Sequence, residues 1–115
     1  MKKTIGPDEY NVFLADFSKR NKGRRARFES FSGRGVAEED EEAVFENVSI
    51  SGDVVTVKRT VLTSSSASPI ADEVTGVHGV SVQYDTDNSE NTLEFMDTNG
   101  DMTVLHFESL VDGDS

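Results

Sequence analysis

The sequence predicts an α+β fold: one N-terminal amphipathic helix packed on a mainly antiparallel sheet of five or six strands. Three observations predict it. An apolar stripe at helical spacing occurs once, close to the N-terminus, at Tyr10, Phe13, Leu14 and Phe17. After Gly23 the apolar residues alternate with polar ones instead. Two glycine-bearing turn signals, Gly52-Asp53 and Thr98-Asn99-Gly100, lie at the centres of such alternating runs. The length, 115 residues, suits a single domain spanning residues 1–115.

The helix is expected over about residues 7–22. Pro7 fits the first turn, where its missing N–H is not needed. Asp8 and Glu9 complement the positive end of the helix dipole, and Lys19, Arg20 and Lys22 the negative end. Gly23 is a natural C-terminal cap. Strands are expected at about 24–31, 43–51, 54–62, 78–84, 92–97 and 101–108, and residues 113–115 as a frayed tail. In the first hairpin, a two-residue Gly52-Asp53 turn sets Ser51 against Val54, Ile50 against Val55 and Val48 against Val57. The same register then sets Glu46 against Arg59 and Val44 against Val61. In the second, a three-residue loop with Gly100 left-handed sets Asp97 against Asp101, Phe95 against Thr103 and Leu93 against Leu105. That register gives Leu93, Phe95, Leu105 and Phe107 one face, and Met96, Met102, Val104 and His106 the other. The Ser-rich segment from Thr63 to Pro69 reads as a mobile loop.

Composition excludes several classes. There is no Cys, which removes disulfide scaffolds, thiolate metal sites and cysteine nucleophiles. No apolar run approaches the roughly 20 residues of a membrane helix. Lys2 and Lys3 could open a signal peptide, but Gly6, Pro7, Asp8 and Glu9 stand where its apolar stretch belongs, so a cytoplasmic address is expected. The formal net charge is -11, with only five Lys and three Ile against 14 Val. Molar salt shrinks the Debye length to about 3 Å and removes most of the self-repulsion such a charge creates, so halophilic adaptation is one reading of the acidity. Nucleic-acid mimicry through residues 38–46 and 85–101 is another.

The charge is split along the chain. Residues 1–34 carry nine basic and four acidic side chains, a net of +5; residues 35–115 carry two and 18, a net of -16. Lys19, Arg20, Lys22, Arg24, Arg25, Arg27 and Arg34 form a candidate interaction patch. Glu38, Glu39, Asp40, Glu41 and Glu42 form a candidate acidic patch. Cations with Phe17, Phe28 and Phe31 between them can neutralise phosphates and stack on bases. Phe17 and Phe28 are expected in the core, however, and the remaining -16 repels a polyanion.

No catalytic, cofactor or metal site is expected. His78 and His106 are too few ligands for zinc. The segment Asp85-Thr86-Asp87-Asn88-Ser89-Glu90 opens like a calcium loop but has Glu90 and Met96 where Gly and Glu are required. Ser64, Ser65 and Ser66 lack a base and elbow glycines. Gly33 and Gly35 bracket Arg34 without the Lys-Ser or Lys-Thr of a P-loop.

The order of features also resembles a known group. Tyr10 lies three before Phe13 at the helix opening, Phe17-Ser18 follow, and Gly23-Arg24-Arg25-Ala26-Arg27 leads into the first strand. Val44-Phe45 precedes Val48-Ser49-Ile50, and Leu93-Glu94-Phe95, Asn99-Gly100 and Thr103-Val104-Leu105-His106-Phe107 close the chain. Over about residues 8–108 this resembles a family of short, uncharacterised bacterial proteins catalogued as a domain of unknown function. Tyr10 stands where such proteins more often have Trp, and the acidic run and Ser-rich loop depart from their pattern. The resemblance implies the α+β fold and a cytoplasmic, bacterial setting, and no activity. The expected function is therefore non-enzymatic contact with a protein partner or with a second copy. The alternative is a nucleic-acid role, direct through the basic stretch or by mimicry.

Overall fold

The computed structural model describes residues 2–31, 37–39 and 43–108, with 31 and 37–39 described as backbone. The expected helix is two pieces: a 3-10 turn, Pro7–Glu9, and α1, Tyr10–Asn21. Lys22 leaves the helix and Gly23 takes φ +94°, a conformation open to glycine. The Gly23 N–H then bonds the Phe45 carbonyl at 2.9 Å, so the helix exit is tied to a strand.

Nine strands form one antiparallel sheet among the described residues: β1 Lys2–Ile5, β2 Arg25–Phe31, β3 Ala37–Glu39, β4 Ala43–Ser51, β5 Val54–Leu62, β6 Ala67–Val74, β7 Val77–Tyr84, β8 Glu90–Asp97 and β9 Met102–Phe107. Eight run in the order β1-β7-β8-β9-β2-β4-β5-β6, and short β3 pairs with β2 beside that path. The expectation of five or six strands is corrected by β1, β3 and β6. β1 and β6 are edge strands that face water, so neither needs apolar alternation. The expected Thr63–Pro69 loop is shorter: the Thr63 N–H bonds the Ser66 carbonyl at 2.9 Å, and β6 starts at Ala67. The expected tail, 113–115, lies outside the described residues.

Both hairpin turns follow the expected chemistry, with Gly52 at φ +63° and Gly100 at φ +85°. The second keeps its predicted register, with Leu93 opposite Leu105 and Phe95 opposite Thr103. Val104 is nonetheless buried on the outer face. In the first hairpin the register holds from Ser51 to Asn47 and then breaks. A bulge around Glu46 sets Phe45 opposite Arg59 and Val44 opposite Thr60, not Glu46 and Val61. The extra residue lets Phe45 and Val48, three apart, both face the core.

The sheet is strongly rolled. β6 and β7 are joined by only Thr75 and Gly76, yet they lie six places apart in strand order. In a flat sheet six spacings would be about 29 Å, whereas three consecutive Cα steps reach at most about 11 Å. The sheet must therefore curl until these strands nearly meet, and the Val77 N–H accordingly bonds the Asp53 carbonyl at 2.9 Å. α1 lies in the concave side. Phe17 is fully buried with its ring centroid 6.0 Å from Phe45 and 5.5 Å from Phe107, which are themselves 5.2 Å apart. Ser18 fastens the helix to β4: its hydroxyl accepts the Val48 N–H at 2.9 Å and donates to the Leu14 carbonyl at 2.8 Å.

Candidate functional site

The C-terminal half of α1 and the loop between β7 and β8 border an open cleft of about 560 Å³. Its walls include Lys3, Phe13, Arg20, Asn21, Arg24, Tyr84 and Glu90. A second bulge builds it. Gln83 pairs with Thr92, but Tyr84 pairs with Glu90, so one residue is extra on β8. Residues two apart on a strand normally share a face; the extra residue breaks this and turns Glu90 toward the helix.

Glu90 is 7% exposed and fully engaged. Arg20 grips it with two parallel bonds, Nε to Oε1 at 3.0 Å and Nη2 to Oε2 at 2.7 Å. Asn21 Nδ2 donates to Oε1 at 2.8 Å. Arg24 Nη1 reaches the Glu90 carbonyl at 2.6 Å and Asn21 Oδ1 at 2.8 Å, while Nη2 bonds the Glu108 carbonyl at 2.8 Å. The hydrogen bond to Glu90 raises the Arg20 pKa above its ordinary value. Burial lowers that of Arg24, against the opposing pull of Glu90, Asp87, Glu108 and Asp85. Both guanidinium groups also lie over rings, Arg20 5.7 Å from Phe13 and Arg24 5.1 Å from Phe107.

The basic patch read from the sequence is thus divided. Arg20 and Arg24 enter the cleft; Lys19, Lys22 and Arg25 are exposed nearby in sequence; Arg27 is half-buried on β2, opposite His106. Arg34 lies outside the described residues. Of the acidic patch, Glu38 and Glu39 lie on β3, where the register sets them opposite Ser30 and Glu29. Asp40, Glu41 and Glu42 lie outside the described residues. Lys3, Asn21, Tyr84 and Glu90 were not legible as site residues. Glu90 is one acid among 22, and only the bulge, a tertiary feature, singles it out.

A second polar cluster sits on the outer face. Glu94 is buried and receives Lys2 Nζ at 2.9 Å, Ser81 Oγ at 3.1 Å and Gln83 Nε2 at 2.5 Å. Burial pushes its pKa up, but these hydrogen bonds and the Lys2 charge outweigh it, so the pKa falls below the usual Glu range. His106 contacts Glu29 on the same face, and His78 is exposed. Neither histidine lines the cleft. Among the described residues no group of three or more His, Asp or Glu has the arrangement of a metal site, and no helix is long and apolar enough to cross a membrane. No protein-family model, curated protein or solved structure matches the chain, so the geometry alone carries the functional reading.

Proposed function

We infer that the protein is a non-enzymatic contact domain that docks a short acidic protein segment on the basic end of α1. The observation that carries this is the gathering of Lys3, Arg20 and Arg24 in one cleft, beside exposed Lys19 and Lys22, on a chain of net charge -11. Local attraction and long-range repulsion then compete. Repulsion by the whole molecule grows with the charge of the partner, whereas attraction is limited to the few cations at the site. A short segment with two to five carboxylates is favoured over a nucleic acid, whose charge continues beyond the patch. The acidic run of a second copy, residues 38–42, has the required composition and makes self-association one form of the same contact.

A synthetic peptide covering residues 36–46 is the direct probe, titrated calorimetrically into the protein at 50 mM salt. Binding that weakens several-fold in K19E/K22E is expected. No binding by the wild type at this salt, or tighter binding of oligothymidylate than of the peptide, overturns the reading.

A further inference from the structure

Resting on that reading, we propose that the cleft is a specific carboxylate pocket, in which Arg20 takes the acid group of a partner peptide while Phe13 and Tyr84 hold an apolar neighbour. Its size is the first argument. The cleft is open to solvent and about 560 Å³ in volume, room for two or three peptide residues laid along it.

Donor accounting is the second. A guanidinium has five N–H donors. Glu90 takes one from Nε and one from Nη2 of Arg20. The other three, two on Nη1 and one on Nη2, have no partner among the described residues. One on each Nη forms the outer end of the guanidinium, where a carboxylate can accept two parallel bonds. The Arg20 side chain is 47% exposed, so this end is open, whereas Glu90 beneath it is buried and also held by Asn21. The cation is therefore fixed before any ligand arrives, and little side-chain freedom remains to be lost on binding.

Charge selects the ligand class. The walls hold three cations and one carboxylate, Glu90. Asp16 acts on Arg20, and Asp85, Asp87 and Glu108 act on Arg24 from around the rim. With these rim groups five carboxylates stand against three cations, so the surroundings give no net attraction and a ligand is held only by direct contact with the open Arg20 donors and Lys3; a phosphate dianion, with its denser charge, and a polyanion that runs on past those contacts are disfavoured. Lys3, exposed on β1 with no hydrogen-bond partner among the described residues, supplies the second positive contact. Phe13, half-buried, and Tyr84 supply apolar surface next to the fork. The rim is held in shape by the turn after β7. There the Asp85 N–H bonds the Ser89 carbonyl at 2.8 Å, and the Asn88 N–H bonds the Asp85 carbonyl at 3.0 Å.

The test uses blocked tripeptides, acetyl-Phe-Glu-Glu-amide and acetyl-Phe-Gln-Gln-amide, with inorganic phosphate as a third probe. Each is titrated into the intact chain and followed by NMR shifts of the Arg20 and Asn21 signals. The Glu peptide should bind and the Gln peptide should not. Arg20→Lys keeps a charge for Glu90 but loses the fork, and should weaken the Glu peptide about tenfold. Lys3→Gln, which touches no buried partner, should weaken it about threefold without altering the fold. Lys19→Gln and Lys22→Gln should leave the tripeptide unchanged. If Arg20→Lys and Lys3→Gln bind the Glu peptide as well as the wild type, the pocket is wrong. Should the 36–46 peptide still bind and depend on Lys19 and Lys22, the broader contact reading survives that loss. Tighter binding of phosphate than of the Glu peptide also overturns the pocket.

Discussion

Single side chains fasten this fold where backbone ladders cannot. Ser18 is buried and serves both the Val48 N–H and its own helix, so Ser18→Ala leaves a buried donor without its acceptor. The expected loss is about 1–3 kcal/mol, read from urea denaturation with an unchanged slope. Glu94 makes a pH prediction. Its folded pKa lies below the unfolded one, so its contribution is complete above the unfolded Glu range and disappears as pH falls through the lowered folded value. Acid titration of stability should therefore be shallower in Glu94→Gln than in the wild type below about pH 4.5. Equal slopes would show that Lys2, Ser81 and Gln83 do not favour the charged form. The helix stripe Tyr10, Leu14 and Phe17 was legible in sequence because burial repeats at the helical period. Glu90 and Glu94 were not, because a strand pattern carries no mark of which carboxylate a neighbouring strand or helix will cover.

At the level of elements, edges and bulges decide what pattern alone could not. Arg59 lies inside the curl at 0% exposure, over the Phe28 ring at 4.7 Å and bonded to the Ala26 carbonyl at 3.1 Å. Sequence pairing assigned it Glu46 across the hairpin. The structure instead gives it Asp72 of β6 at 3.0 Å, while Glu46, displaced by the bulge, accepts from Thr60 at 3.1 Å. Asp72 is about two-fifths exposed, so solvent screens the pair. Asp72→Asn should lower stability by about 1 kcal/mol. Hydrogen exchange should locate the loss in residues 67–74, since β6 is paired on one side only. Faster exchange spread evenly over the sheet would contradict this placement.

For the whole molecule, the dominant quantity is a net charge of -11 on 115 residues. Internal pairs absorb part of the early positive charge, Arg20 with Glu90 and Lys2 with Glu94 among them, so the lengthwise split does not become two clean faces. The surplus of acid remains and opposes compaction at low ionic strength. The midpoint of thermal unfolding should rise between 0.1 M and 2 M KCl as the screening length falls from about 10 Å to under 3 Å. A flat or falling midpoint would remove the salt-adaptation reading and leave the cleft argument untouched.

By itself the sequence determined the elements whose signals are local: the apolar stripe of the helix, the two hairpin turns with their left-handed glycines, and the alternation of the central strands. These depend on spacings of a few residues and on backbone sterics, which act wherever the chain is placed. Only the tertiary structure decided the edge strands, the bulges that re-aim Phe45 and Glu90, and the cleft. Edges need no apolar pattern, a one-residue bulge changes which face a side chain serves, and the cleft joins Lys3, Arg20 and Glu90, three positions far apart in the chain. Pairing β1 and β8 on either side of β7, with α1 bonded to Glu90 through Arg20, is what brings them within reach of one another.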